Sequence, residues 1–189
     1  TSYWKTLGER TLMTDITHAG FIPLIGGETI GVMNALGGRP PEYMLSYDAF
    51  QNNESHLRQY LNKTPWHVID ADSNSSVKSV DVMHAVCPCA GLSTAATVRV
   101  DATNDWMFRS TTHALRDLQP RVLWGENAPG LSSNAGRWVA DRLAKIGHNY
   151  GYSMLLYRTK SLLHGLPQKR QRSFYFFFKD GPAPIFDFF

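Results

Sequence analysis

The sequence predicts an α/β fold in which a mostly parallel sheet carries helices on both faces. Short apolar runs alternate with amphipathic stretches along the chain, as strands alternate with helices in this class. The runs are continuous rather than alternating in polarity, which is typical of buried parallel strands. A chain of 189 residues with 43% hydrophobic content can bury one sizeable core, so we expect a single domain over residues 1–189.

Seven apolar runs are predicted strands, at residues 20–25, 43–47, 67–69, 81–86, 121–125, 152–157 and 173–178. Two stretches have apolar residues at helical spacing: Met107, Thr111, Ala114, Leu115 and Leu118, ending before Pro120, and Trp138, Val139, Leu143 and Ile146, with Gly147 as the predicted C-cap. The stretch 90–104 has weak periodicity and many small residues, and we interpret it as a mobile loop.

Charge and cysteine content restrict the class of protein. The net charge of +3 permits a nucleic-acid partner without requiring one. No apolar run approaches the roughly 20 residues of a membrane-spanning helix, and the start of the chain lacks the apolar centre of a secretion signal. Cys87 and Cys89 are too close in sequence for an ordinary disulfide, which points to a reducing compartment. We therefore expect a cytoplasmic protein with no membrane partner.

A glycine pair and several carboxylates follow the first three predicted strands. Gly26 and Gly27 precede an apolar helix, at the edge where doubly wound sheets bind cofactors, although a tight turn without a ligand explains them equally well. Asp48 follows the second strand, and Asp70 and Asp72 follow the third. Such carboxylates can hold the ribose of a nucleoside cofactor, or cap a helix. The choice between Asp70 and Asp72 stays open.

Cys89 is the candidate nucleophile, because it lies in a loop directly after the strand at 81–86. A thiol at the carboxyl edge of a sheet can act as a thiolate when cations and backbone amides surround it. Cys87 better suits a small buried side chain. A metal site made of His84 and both cysteines is a less favoured alternative, because their spacing is wrong for it.

Two further strand ends carry polar groups. Glu126 and then Asn127 close one strand, where a carboxyl can exchange a proton with a bound base or form a structural pair. Arg170 and Arg172 lead into the last predicted strand, and alternation would aim both at one side. The alternative for these arginines is a solvated cluster of charges.

Taken in order, these motifs resemble those of DNA cytosine-C5 methyltransferases. Gly26-Gly27 resembles the cofactor turn of that family, Pro88-Cys89 its Pro-Cys nucleophile and Glu126-Asn127 its Glu-Asn-Val motif. Gln168, Arg170 and Arg172 resemble its Gln-x-Arg-x-Arg motif. The four motifs occur in the order of the family, within residues 21–178.

The resemblance implies a Rossmann-like S-adenosylmethionine-dependent methyltransferase fold, and methyl transfer to carbon 5 of a cytosine flipped out of double-stranded DNA, as in restriction-modification. It also implies a bacterial or phage-infected cell as the host. The catalytic residues that it implies are Cys89, which forms a covalent adduct, with Glu126, Arg170 and Arg172. The implied DNA contacts are Ser93, Gln168, Arg170 and Arg172. The implied S-adenosylmethionine site consists of Ile22, Gly26, Gly27, Asp48, one of Asp70 and Asp72, and Pro88, with no metal. By the same resemblance, the loop at 90–104 closes over DNA.

The chain also departs from the family. Leu24 stands where the family has another glycine in the cofactor turn, Ala90 where it has glutamine and Ala128 where it has valine. After Phe178 the sequence carries none of the target-recognition domain, late cofactor motif or final helix of the family. We therefore expect a second chain or a missing C-terminal half to supply target recognition. Two alternatives are a catalytically degenerate module that binds cofactor or DNA, and a small NAD-binding oxidoreductase, which only the glycine turn favours.

Overall fold

A computed structural model describes residues 15–70, 77–93 and 102–185. The strands are β1 (His18–Phe21), β2 (Tyr43–Tyr47), β3 (Trp66–Ile69), β4 (Val82–Val86), β5 (Val122–Asn127), β6 (Tyr152–Lys160) and β7 (Gln171–Lys179). The helices are α1 (Gly27–Ala35), α2 (Ser55–Tyr60), α3 (Ala102–His113), which continues as a π-helical turn over Ala114–Leu118, and α4 (Arg137–Asn149). Short 3-10 turns join several of these elements.

The strands of the described residues form one sheet in the order β3-β2-β1-β4-β5-β7-β6. The first five strands in this order pair in parallel, and β7 runs antiparallel to both of its neighbours. The carboxyl ends of β4 and β5 therefore meet the amino end of β7 at the same edge of the sheet. The α/β class and the mostly parallel sheet predicted from the sequence are confirmed.

Helices cover both faces of the sheet, because neighbouring residues of a buried strand point to opposite sides. On one face, Met44 of β2 packs with Leu57 and Leu61, against Ile30 and Met33 of α1. On the other face lies the main core, which joins strand residues such as Leu45, Met83 and Leu123 to residues of α3 and α4 such as Met107 and Leu143.

The first strand is shorter and earlier than predicted. The sequence analysis placed it at 20–25, but β1 ends at Phe21, because Ile22 and Leu24 both have left-handed backbone conformations, with φ of 51° and 49°. A strand needs φ near −120°, so the apolar run from Ile22 to Ile25 forms the turn before α1 instead.

The predicted end of α4 was also wrong. The helix continues past Gly147 to Asn149, and a left-handed glycine follows at Gly151, with φ of 79°. Gly147 is buried inside the helix because the ring of Phe177 packs against its Cα, leaving no room for a Cβ atom. The glycine is needed there for close packing of helix on sheet.

The predicted mobile loop at 90–104 extends too far, because α3 already begins at Ala102. A 3-10 turn covers Ala90–Leu92, and residues 94–101 of the predicted loop lie outside the described residues. Within the described ranges, no helix has the length and apolar character to cross a membrane.

Candidate active site

The residues with catalytic chemistry converge where β4, β5 and β7 meet. Val86, the last residue of β4, pairs with Glu126 of β5, so the loop that carries Cys89 begins beside the backbone of Glu126. On its other side, Glu126 pairs with Phe174 of β7, two residues after Arg172. Parallel pairing on one side and antiparallel pairing on the other thus bring three distant chain segments to one edge.

Cys89 is exposed and lines a cavity of about 390 Å³. The other walls of this cavity, called here the thiol cavity, are Ser93, Ala128, Pro129, Arg158, Lys169, Arg170, Gln171 and Arg172. Four cationic side chains thus surround the space into which the thiol opens.

The second cysteine has the opposite environment, as the sequence analysis expected. Cys87 is buried, its sulfur lies 3.2 Å from the hydroxyl of Ser110, and burial raises its thiol pKa to about 11. At neutral pH Cys87 is therefore a neutral thiol inside the core. The two neighbouring cysteines differ in access, and of the two only Cys89 is open to a ligand.

Glu126 forms an ion pair with the Nε of Arg172, and both side chains are largely buried. Burial raises the pKa of the Glu126 carboxyl above its ordinary value, and the charge of Glu28 adds to this, while Arg172 and Arg170 act in the opposite direction. The desolvation penalty is thus the largest influence. Glu126 is consequently a carboxyl group that holds its proton to higher pH than an exposed one.

Asn127 and Tyr175 fix the strand that carries Glu126. The side-chain oxygen of Asn127 accepts a hydrogen bond of 2.8 Å from the backbone N–H of Ala128, where the chain leaves β5. Gly125 lies directly against the hydroxyl of Tyr175 and the carbonyl of Ala85, where a Cβ atom would overlap both. This close approach holds β5 against β4 and β7.

The glycine turn lies between β1 and α1, as predicted. Gly26 is the N-cap of α1, with φ of 88°, and open space lies around the Cα of Gly27. Leu24, which occupies the place of a family glycine, has a left-handed φ of 49° that L side chains adopt at a cost. Ile22 is fully buried in the main core, so its side chain does not line a surface at this turn.

The two described aspartates predicted to hold a cofactor share one cleft. Asp48 and Asp70 line a cleft of about 600 Å³, together with Tyr47, Ala49, Val68, Ile69, Trp106 and Arg109. Asp48 also accepts a hydrogen bond of 2.6 Å from the amide of Gln51. Asp72 lies outside the described residues. Pro88 lies between the two cysteines and is half-buried.

The DNA-binding candidates divide into two groups. Ser93, Arg170 and Arg172 all line the thiol cavity. Gln168 is exposed, and its backbone N–H donates a 2.7 Å hydrogen bond to the carbonyl of Leu166 in the turn before β7. Gln168 is not among the described residues that line the thiol cavity.

Arg158 and Lys169 are members of the thiol cavity that the sequence analysis missed. Arg158 donates a hydrogen bond to the side chain of Gln171 across the β6–β7 pair. It lies directly across from Ser173, one residue after Arg172. The sequence shows a cation in the strand that precedes the arginine motif. It does not show that the two strands pair in antiparallel register, which is what brings the cation to the cavity.

The metal alternative is not supported at His84. Its Nε2 lies 2.8 Å from the hydroxyl of Thr29 in α1, and burial lowers its imidazole pKa to about 3. His84 therefore stays neutral and packs beneath α1, whereas Cys89 opens at the edge of the sheet. The described residues contain no group of three or more histidine, cysteine, aspartate or glutamate side chains placed to hold a metal ion.

A comparison with protein families assigns the chain. The family described as C-5 cytosine-specific DNA methylase matches residues 25–187. The chain belongs to this family. The match includes Gly26, Cys89, Glu126 and Arg172, so the family predicted from the sequence motifs is confirmed.

Relatives of this cytosine methylase chain are distant. It is 27% identical to the type II methyltransferase M.Eco47II of Escherichia coli over an alignment 128 positions long, and the alignment covers 63% of this chain and 31% of the relative. The match therefore spans about a third of the length of that curated relative.

Solved structures share the fold. A DNA modification methyltransferase encoded within an E. coli prophage aligns with a TM-score of 0.69 at 17% identity, over 87% of this chain and 47% of that one. The Dnmt2 methyltransferase of S. pombe aligns with a TM-score of 0.62 at 13% identity, over 90% and 51%. The magnesium protoporphyrin IX methyltransferase of Synechocystis, solved with bound SAM, gives 0.50 at 11% identity, over 88% and 71%. The predicted Rossmann-like methyltransferase fold is thus confirmed.

Proposed function

We propose that this chain is the catalytic part of a DNA cytosine-C5 methyltransferase. It transfers a methyl group from S-adenosylmethionine to carbon 5 of a flipped-out cytosine, through a covalent adduct with Cys89. One observation carries the proposal: the exposed thiol of Cys89 opens into a cationic cavity whose Arg172 is paired with the buried Glu126.

Carbon 5 of cytosine is too weak a nucleophile to take a methyl group unaided. The thiolate of Cys89 attacks carbon 6, the new S–C bond forms as the C5–C6 double bond opens, and the electron pair moves to carbon 5. The four cations of the thiol cavity surround the sulfur during this attack. Cys87 has no part in this step, because it is buried and neutral.

Glu126 supplies the acid for this attack. Its raised pKa favours the protonated carboxyl group, which can donate a hydrogen bond or a proton to ring N3 while negative charge develops on the base. The Nε–H of Arg172 contacts one carboxyl oxygen and keeps the group in position while the other oxygen carries the proton. After methylation, loss of the proton on carbon 5 and departure of Cys89 restore the aromatic ring.

The chain offers residues that fit S-adenosylmethionine. The cleft lined by Asp48 and Asp70 has room for a nucleoside, with carboxylates for its hydroxyl groups and Trp106 as an apolar wall. The Gly26–Gly27 turn lies at the start of α1 with open space around Gly27, which suits the carboxylate end of the cofactor. When bound, the cofactor supplies an electrophilic methyl group.

Double-stranded DNA is the proposed substrate, and the cytosine must leave the stack to reach the thiol cavity. Arg170, Lys169 and Ser93, which line the thiol cavity, would contact the strand that carries it. Because the match covers about a third of the curated relative, we propose that a further segment or a second chain supplies the choice of DNA sequence.

The test is adduct formation with DNA containing 5-fluorocytosine, in the presence of S-adenosylmethionine. Fluorine blocks loss of the carbon 5 substituent, so the enzyme stays attached to the base. The wild-type sequence, tested within the full-length protein or together with its partner chain, should form the adduct. The Cys89→Ala variant of the same complete protein should not. Cys87→Ala is the matched control and should still form it. Absence of an adduct in the complete protein, or its survival in Cys89→Ala, would refute the mechanism.

A degenerate module that binds cofactor without turnover is the second candidate, and the strained Leu24 favours it. Calorimetry separates the two functions. Tight binding of S-adenosylmethionine by the complete protein, with neither adduct nor methyl transfer on DNA, would support the degenerate module.

A further inference from the structure

A second cavity adjoins the thiol cavity. It has a volume of about 170 Å³, and Ser93, Pro129 and Arg158 belong to the walls of both. Its remaining walls are Gly91, Leu92, Asn104, Gly130, Ser133, Ala135, Gly136 and Trp138. We call it the amide cavity, after the Asn104 side chain. Nothing in the proposed methyl transfer uses this space.

Much of the wall of the amide cavity is backbone, held in place by two glycines. A Cβ atom on Gly130 would overlap the carbonyl of Leu92, and one on Gly136 would overlap the carbonyl of Gly130. These contacts stack the turn that follows Cys89 on the turns that precede α4. The cavity is therefore built by close backbone packing rather than by flexible side chains.

Asn104 places an unpaired amide group in this wall. The side chain is 1% exposed, and neither its oxygen nor its nitrogen has a hydrogen-bond partner among the described residues. A buried amide that lacks partners destabilises a fold, because its hydrogen bonds to water are lost without replacement. The amide offers one acceptor and two donors side by side to a ligand in the cavity.

Trp138 and Arg158 supply the other parts of a recognition site. Trp138 packs near Phe108 with ring centroids 6.0 Å apart, yet 45% of its surface remains exposed. The cavity reaches the first residues of α4, where the positive end of the helix dipole adds to the charge of Arg158. A nucleotide has a part for each of these groups. Its base can stack on the aromatic face and bond to the adjacent donor and acceptor of the amide, and its phosphate can occupy the anion site.

We propose that the amide cavity binds a second nucleotide of the DNA strand, next to the cytosine held at Cys89. The base hydrogen-bonds to Asn104 and lies against Trp138, and Arg158, on the wall between the two cavities, holds the phosphate that joins the two nucleotides. This inference rests on the proposed function only in naming DNA as the molecule that supplies the nucleotide. The recognition of a base and a phosphate follows from the cavity itself.

The first test titrates the four deoxynucleoside 5′-monophosphates into the chain and follows tryptophan fluorescence. At least one should bind saturably, with a signal that disappears in Trp138→Phe. Asn104→Leu should weaken that binding about tenfold, since a bidentate contact between an amide and a base contributes on this order. Inorganic phosphate alone should compete only weakly.

Thr111→Val is the matched control. Thr111 lies on α3 like Asn104, is fully buried and also has an unpaired side-chain oxygen, but it does not line the amide cavity. Both substitutions remove an unpaired polar group and should leave the urea midpoint unchanged or higher, while only Asn104→Leu should lose nucleotide affinity. Asn104→Ala repeats the test with a smaller side chain, should leucine overfill the site.

The second test identifies the source of the nucleotide. Single strands with one 5-fluorocytosine carry either an intact base or an abasic site beside it. The abasic strand should bind the wild type about tenfold more weakly, and the Asn104→Leu variant should not distinguish the two strands. Equal binding of both strands by the wild type would overturn the proposal, as would nucleotide affinity that is unchanged in Asn104→Leu. Binding that depends on Asn104, without any Cys89 adduct, would refute the methyltransferase and leave the nucleotide site standing.

Discussion

Replacing Leu24 by glycine and by alanine should reverse the usual order of stability of these two residues. Leu24 has φ of 49°, in the left-handed region, where an L side chain costs about 1–2 kcal/mol and glycine costs nothing. Both substitutions remove the contacts of the leucine side chain with the main core, so this loss cancels when the two variants are compared. The two variants then differ only in the backbone strain of the folded state and in the conformational entropy of the unfolded chain.

The flexibility of glycine in the unfolded chain favours alanine by about 0.4–1 kcal/mol. The relief of strain is larger, so Leu24→Gly should be more stable than Leu24→Ala by roughly 0.5–1 kcal/mol. Urea denaturation of both variants measures this difference. Gly31→Ala in the exposed part of α1 is the control, because a Cβ atom meets open space there. That substitution should stabilise the chain by about 0.5–1 kcal/mol.

If Leu24→Gly is no more stable than Leu24→Ala, the backbone at this turn is not strained. The same variants report on the cofactor site. If the leucine side chain crowds S-adenosylmethionine, calorimetry should show tighter binding in both variants than in the wild type. If the strained backbone is what matters, only the glycine variant should bind more tightly.

Gly125→Ala should destabilise the chain by about 1–3 kcal/mol in urea denaturation, because its Cβ atom overlaps the Tyr175 hydroxyl and the Ala85 carbonyl; unchanged stability would mean that the strands separate easily. Adduct formation should decline as the pH rises through the raised pKa of Glu126, because the protonated acid is lost, and Glu126→Gln should be slower but flat over that range. Burial depresses the His84 pKa to about 3, so protonation favours the unfolded chain and stability falls as the pH drops below the ordinary value of 6.5. Relative to His84→Gln, the wild type should lose about 1.4 kcal/mol per pH unit in this range, as followed by urea denaturation at successive pH values; equal slopes would contradict a neutral buried imidazole.

The sequence predicted the strands best where an apolar run ends at a polar residue. The strand at 43–47 has the predicted bounds, and those at 67–69, 81–86, 121–125, 152–157 and 173–178 differ from β3 to β7 by one to three residues at their ends. The first strand failed because the backbone conformations of Ile22 and Leu24 follow from the tertiary fold rather than from their side chains. Residue type alone did not show these left-handed conformations.

Candidate residues could be predicted from the sequence when their own side-chain chemistry marks them. They could not be predicted when only their neighbours in the fold bring them to the site. Cys89, Glu126 and Arg172 could be proposed from the sequence because each carries a reactive group at or just beyond the end of a strand. Arg158 was missed because its place in the thiol cavity depends on the pairing of β6 with β7. Asn104 was missed because nothing in the sequence shows that a buried amide lacks hydrogen-bond partners.

The antiparallel pairing of β7 with β5 makes the arginine motif sensitive to insertions. Arg172 and Phe174 point to one side of β7, and Ser173 and Tyr175 point to the other. One extra residue between Arg172 and Tyr175 would turn the guanidinium towards the opposite side of the sheet and break its pairing with Glu126. The segment between β6 and β7 has no such alternation, so changes of its length leave the arginine facing the same way. Changes of length are therefore tolerated best in the segment between β6 and β7 and least after Arg172, inside β7.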